Sequence, residues 1–246
     1  MASSVATAVA RRRAAPSASR IVAGAARLAA DGVQHAGVSP AYWLTAKRAL
    51  AKADPTLGRI IASYPGIKLQ SRGDAFVTLA RAIVGQQISV KAADAVWRRF
   101  CIACGDTTPK GILRRRATTL RRCGLSDRKV EYIRDLAGHF VSGKVDPSRF
   151  GEQSDEEIIA ELVDIRGIGR WTAEMFLIFN LLRPDVLPLD DLGLLKAVSV
   201  HYLDGAPVLG REGRAQVIQI AQAWAPWRSV ATWYLWRSFD PVPVTY

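Results

Sequence analysis

The amino-acid sequence predicts an all-α protein, and three observations carry that expectation. Apolar residues recur at i, i+3 and i+4 through most of the chain, the spacing of a helix with one buried face. The alternating patterns joined by tight turns that mark strands are missing. Gly, Pro, Asp and Ser punctuate the periodic segments, and these are the residues that cap and stop helices. At 246 residues and 49% hydrophobic content, the chain can bury a sizeable core as one domain or as two closely packed subdomains.

Segments 40–53, 56–63, 73–86, 89–103, 109–122 and 126–141 rest on that recurrence and its punctuation. The next, 154–164, has a start signal of its own. Ser154 followed by Glu157 is a capping box, in which each side chain satisfies the other's free backbone N–H. Gly167 and Gly169 end this helix, because glycine accepts positive φ and brings bare backbone to the surface. A helix over 170–181 follows. Its first N–H groups and its dipole point into the turn, where an anion such as a DNA phosphate is favoured. Pro184 and Pro188 then break the chain, and Asp190 and Asp191 stand at the mouth of a helix over 191–202. Segments 211–224 and 227–238 complete the set.

The net charge of +12 favours a polyanionic partner. Five of those charges (Arg11, Arg12, Arg13, Arg20 and Arg27) fall in a tail with no acid before Asp31, which leaves about +7 (12 − 5) for the remainder. Residues 1–37 are Ala-, Ser- and Arg-rich and are expected to be a disordered basic tail, in preference to an organellar transit peptide. Residues 38–246 are the expected folded domain. The basic run Lys110, Arg114, Arg115, Arg116, Arg121, Arg122, Arg128, Lys129 and Arg134 reads as a solvated face that adds diffuse attraction to phosphate. No apolar run reaches the ~18–20 residues needed to cross a bilayer. Cys101, Cys104 and Cys123 make no disulfide framework, and His35, His139 and His201 have no metal-ligand spacing, so a reducing compartment and no metal–cysteine site are expected.

Three motifs in order resemble the helix-hairpin-helix DNA glycosylases, and within them the 3-methyladenine glycosylase II branch. They are Ala82-Ile83-Val84-Gly85-Gln86-Gln87-Ile88-Ser89, the stretch Leu162 to Phe176 with its Gly167-Ile168-Gly169 turn and following Pro-rich loop to Asp191, and Ala225-Pro226-Trp227-Arg228-Ser229 with Trp233-Tyr234-Leu235-Trp236. Together they cover about residues 75–240. The resemblance implies two helical subdomains flanking a DNA-facing cleft, with the hairpin at 154–181 and the catalytic loop at 183–191. An N-terminal β-rich domain, common in that branch, is expected to be absent. No cysteine follows Cys123, so the four-cysteine iron–sulfur loop of the endonuclease III branch is missing.

The resemblance also implies roles. Asp191 aligns with the catalytic carboxylate, which stabilises positive charge developing on the deoxyribose; read from the residues alone, Asp190 and Asp191 are equally candidate helix caps. Asp190 is expected to be the cap or support. Trp171 stands where bifunctional relatives carry a Schiff-base lysine, which implies base release by water and an unnicked abasic product. Trp171, Trp236 and Met175 would line the base pocket, where tryptophan faces attract a cationic alkylated purine. Trp43, Trp97, Trp224 and Trp233 are expected in the core. Gln87 and Ile88 would plug the gap left by a flipped nucleotide; the bland alternative is an exposed polar loop. Gly167, Gly169 and Arg170 would grip phosphate, and the carbonyls of Val163, Ile165 and Ile168 would hold a sodium or potassium ion bridging to it. The expected protein is a monomeric, monofunctional glycosylase acting on alkylated purines such as 3-methyladenine and 7-methylguanine in double-stranded DNA, without other cofactor or membrane. Its expected place is the bacterial cytoplasm at the nucleoid. Rival readings are a non-catalytic hairpin DNA-binding protein and a glycosylase for deaminated or oxidised bases.

Overall fold

The computed structural model describes residues 37–66 and 68–239. The disordered tail expected over 1–37 therefore lies, apart from Gly37, outside the described residues. Among those described, every regular element is helical. Helix α1 spans Trp43–Ala53, α2 Pro55–Ser63, α3 Ala75–Gly85, α4 Val90–Cys104, α5 Pro109–Leu113, α6 Ala117–Arg122 and α7 Asp127–Val141. Helix α8 spans Asp155–Val163, α9 Arg170–Phe179, α10 Leu192–Tyr202, α11 Gly210–Ala221 and α12 Arg228–Arg237, with a 3₁₀ turn at Gln222–Trp224. None is long and apolar enough to cross a membrane.

Starts follow cap chemistry. Asp54, Asp74, Ser89, Ser126 and Ser154 each accept a backbone N–H in the first turn of the helix they open, and Ser154 with Glu157 forms the full capping box. The single helix expected over 109–122 is instead two. Thr108 and Pro109 start a five-residue helix, and the chain then breaks at Arg114–Arg116, where three consecutive arginines leave no apolar residue to face the core. Side chains fill the broken ladder: Arg115 donates to the Cys104 carbonyl, and Arg134 donates to the Arg115 carbonyl at 2.9 Å. Part of the basic run is thus spent inside the fold.

The helices sort into two packed groups. Helices α1 and α2, from the start of the described chain, pack on α12 from its end, and α10 packs on α12 as well. Helices α3 to α7 form the second group, which α9 joins through α3 and α8 through α9. Aromatic rings knit the first group: Trp43 meets Trp233 edge-on at 5.2 Å and Tyr42 stacks on Trp227 at 5.4 Å. Trp43, Trp224 and Trp233 are buried, and Trp97 lies half-buried against Phe100. Cys104 and Cys123 are also buried, with the Cys123 thiol 3.4 Å from the Thr119 carbonyl. The seam between the groups runs along the C-terminal end of α9. There the buried Asn180 amide donates to the Gly73 carbonyl (2.8 Å) and Thr78 Oγ1 (2.9 Å), and Tyr42 donates to the Leu182 carbonyl at 2.6 Å.

Candidate active site

Asp191 sits where the two groups meet. The loop that delivers it is pinned by Arg228, which grips Asp185 through two bonds of 2.7 Å, and by Arg183, which donates to the Phe150 and Gln153 carbonyls. Asp191 caps α10, its Oδ1 accepting the Leu194 N–H at 2.6 Å. Both indoles converge on the same carboxylate: Trp236 Nε1 donates to Oδ1 at 2.7 Å and Trp171 Nε1 to Oδ2 at 3.0 Å. Asp191 is therefore at once the cap and the centre of the cluster. The support role expected of Asp190 is corrected, because its exposed carboxylate pairs outward with Arg214 at 2.6 Å. Gly193 was not anticipated. A Cβ there would lie 3.1 Å from Asp191 Oδ1 and 3.1 Å from the Trp236 ring, so a bare backbone lets the carboxylate and the indole meet.

Trp171, whose indole holds Asp191, lines a cavity of about 360 Å³ between α3, the start of α4 and α9. Gln87, Ile88, Trp171 and Met175 all line it. Trp236 does not, which corrects its placement in the pocket wall. Its ring stands behind, stacked on Phe179 at 5.6 Å and 13°, and Phe179 lines the cavity together with Trp171. Phe179 was legible in principle: 171, 175 and 179 follow at i, i+4 and i+8, one face of α9.

The Gln86–Ser89 loop tops this cavity. Gln87 is exposed and adopts φ +60°, a left-handed conformation that costs a non-glycine residue about 1–2 kcal/mol. Its neighbours hold it there. Lys129 donates to the Val84 and Gln86 carbonyls at 2.8 and 2.7 Å, and burial lowers its pKa. The Gln86 amide donates to the Gly167 carbonyl at 2.8 Å, which ties this loop to the hairpin.

In the hairpin the two glycines differ. Gly167 has φ +82°, and a Cβ there would fall 2.2 Å from the Tyr132 ring. Gly169 is extended (φ −95°, ψ 171°) with open space around its would-be Cβ, so the positive φ belongs to Gly167 alone. Gly169 is the N-cap of α9 and supplies no side-chain acceptor, which leaves first-turn amides facing outward. The Arg170 guanidinium is engaged elsewhere. It binds Glu156 at 2.9 Å and Glu174 at 3.1 Å, and the Glu156 bond raises its pKa, so only its backbone is placed for an anion. Glu174 is buried, and that burial raises its carboxyl pKa.

A profile described as HhH-GPD superfamily base excision DNA repair protein matches residues 80–212, which span the Gln87 loop, the hairpin and Asp191. The chain belongs to this superfamily. It is 34% identical over 186 residues to Schizosaccharomyces pombe DNA-3-methyladenine glycosylase 1, an alignment covering 74% of this chain and 80% of that protein. Among solved structures of the superfamily fold, a Bacillus halodurans DNA-3-methyladenine glycosidase superposes with TM-score 0.70 and 35% identity, covering 78% of this chain and 87% of that one. An S. pombe 3-methyladenine DNA glycosylase in complex with abasic DNA gives TM-score 0.67 and 31% identity, over 81% and 100% of the two chains.

Proposed function

We propose that the protein is a monofunctional DNA glycosylase that hydrolyses the N-glycosidic bond of alkylated purines, such as 3-methyladenine and 7-methylguanine, and so initiates base-excision repair. The observation that carries this reading is the Asp191 carboxylate held by two indoles, one of which, Trp171, lines a cavity within the ~300–1,000 Å³ range of small-molecule sites. On this reading residues 38–246 are the glycosylase domain, acting as a monomer on double-stranded DNA at the bacterial nucleoid.

Each step falls to residues already placed. First-turn amides at Gly169 and Arg170 hold a phosphate, and Gly167 shapes the turn that presents them. Gln87 and Ile88 enter the stack and keep the damaged nucleotide out, while its base enters the cavity beside Trp171 and Met175. As the bond lengthens, positive charge grows on the sugar, and the fixed Asp191 carboxylate stabilises it and orients the attacking water. Trp171 carries no amine, so no Schiff base forms and the strand stays intact. The hairpin also fits a monovalent cation. Among the described residues no backbone N–H donates to the Val163 or Ile168 carbonyls, while the Ile165 carbonyl takes the Ile168 N–H at 3.1 Å. A sodium or potassium ion there would add positive charge beside the phosphate.

The test is incubation with methylated duplex DNA, chromatography of released bases, and borohydride trapping. Free methylated purines, strand breaks only after alkali and no trapped adduct are expected. DNA binding without base release would leave a non-catalytic hairpin protein, and a trapped adduct would end the monofunctional reading.

A further inference from the structure

Aromatic rings do not make up the whole cavity wall. Arg72 forms part of it, and its guanidinium lies 4.3 Å from the centre of the Phe179 ring, the same ring that stacks on Trp236. The backbone around it is anchored to the end of α9. The Arg72 N–H donates to the Phe179 carbonyl at 3.1 Å, and the Ser71 hydroxyl donates to the Asn180 carbonyl at 3.1 Å. A planar, permanently charged donor is thus held at one wall of the space proposed for the base.

Its charge matters because two kinds of damaged purine leave differently. A purine methylated at N3 or N7 is already cationic. When the C1′–N9 bond breaks, the electron pair stays on N9 and neutralises the ring, so the base departs uncharged. A purine lesion that is uncharged in DNA, such as deaminated adenine, departs as an anion by the same bond cleavage. Water adds to C1′ and releases a proton, which the purine anion takes up. Only in the second case does negative charge develop inside the cavity, and a fixed guanidinium stabilises it most in the transition state. Toward a cationic base the same group is repulsive.

We infer that Arg72 is a specificity-determining residue that sets the balance between uncharged and cationic purine lesions, in favour of the uncharged. This rests on the glycosylase reading above and extends it. Arg72 shapes which bases are removed, while Asp191 acts on the sugar for all of them.

The experiment is single-turnover excision by the wild-type protein, Arg72→Ala and Arg72→Lys from two duplexes, one carrying hypoxanthine and one carrying 7-methylguanine. Thermal melts of each variant accompany the rates. Arg72→Ala is expected to slow hypoxanthine release at least tenfold and to speed 7-methylguanine release, so that their ratio shifts more than tenfold. Arg72→Lys, which keeps the charge but loses the planar stack, should recover part of the ratio. An equal fall on both substrates, or an unchanged ratio, overturns the inference. So does a wild-type protein that releases 7-methylguanine but no hypoxanthine, although the function proposed above would then stand. A wild-type protein that releases neither base overturns the inference, and the methylated-duplex assay above then decides the function separately.

Discussion

Two aspartates in this molecule have nearly the same surroundings and opposite fates. Asp54 and Asp191 each cap a helix, and each receives an indole N–H. Asp54 is buried; its Oδ1 takes the N–H groups of Thr56 and Leu57, and its Oδ2 takes the Tyr202 hydroxyl at 2.7 Å and Trp224 Nε1 at 2.9 Å. Trp224 has no exposed surface. Burial, then the hydrogen bond to Asp54, push the Tyr202 phenol pKa far up, so that hydroxyl remains a donor. At Asp191 the partner Trp171 is 45% exposed and lines a cavity, and Oδ2 holds that one donor among the described residues. The difference is access. A carboxylate with both oxygens doubly satisfied inside the core locks two helical ends together. The same group, held by an exposed indole that lines a cavity and with fewer donors on one oxygen, is equipped to meet a developing positive charge.

The sharpest way to break this contrast is to replace each carboxylate by its amide. Asp191→Asn should lower base release by at least about 10²–10³-fold while DNA binding persists, because the lost charge acts mainly on the transition state. Near wild-type turnover in that variant, measured on methylated DNA, would dissolve the distinction. Asp54→Asn should do the reverse. Its NH₂ would face the donors of Trp224 and Tyr202, which costs about 1–3 kcal/mol, and in a domain this size each kcal/mol lowers Tm by roughly 2–4 °C. Turnover per folded molecule should hold, as single-turnover rates below the melting range would reveal.

Subtler changes sharpen the comparison. Gly193→Ala would press a methyl group against Asp191 Oδ1 and the Trp236 ring, displacing them by a few tenths of an ångström. About tenfold slower chemistry at unchanged binding is expected, given that a 1 Å misplacement costs on the order of 10²-fold. Removing one indole donor at each site gives a matched pair. Trp224→Phe should register in thermal melts with little change in rate, and Trp236→Phe in rate with little change in Tm. If both registered only as stability, the two aspartates would be equivalent after all. The smallest effect is a control on the hairpin. Gly169→Ala introduces no backbone strain, so a folded protein should result whose affinity falls a few-fold for damaged and undamaged duplex alike. A binding titration at one fixed salt concentration decides it.

What the sequence made legible followed from local chemistry. The capping box at Ser154 and Glu157, the glycine turn and the Asp at the start of α10 are short-range signals, and the superfamily motifs pointed to the same segments. The misreadings are tertiary. Choosing between Asp190 and Asp191 as cap required knowing that Arg214, 24 residues away, draws Asp190 outward. Nothing in a Gly-x-Gly spacing tells which glycine has φ above zero; Tyr132, from another helix, fills the space that forces Gly167 to be bare. Phe179 stands in the pocket wall where Trp236 was expected for the same reason, since one stacks on the other across the seam between helix groups. Arg170 looked like a phosphate ligand until Glu156 and Glu174 were in place around it.

One amide hydrogen bond joins segments 81 residues apart: Gln86 to the Gly167 carbonyl. On the proposed roles it links the part that levers bases apart to the part that holds the strand. Lys129 stiffens the near end of that link, and the Tyr132 ring stands against the far end, both from α7. The two contacts then act as the jaws of a calliper with a set gauge. Such an instrument inspects DNA one fixed step from wherever it grips, so moving along the duplex becomes a matter of releasing and re-seating the hairpin.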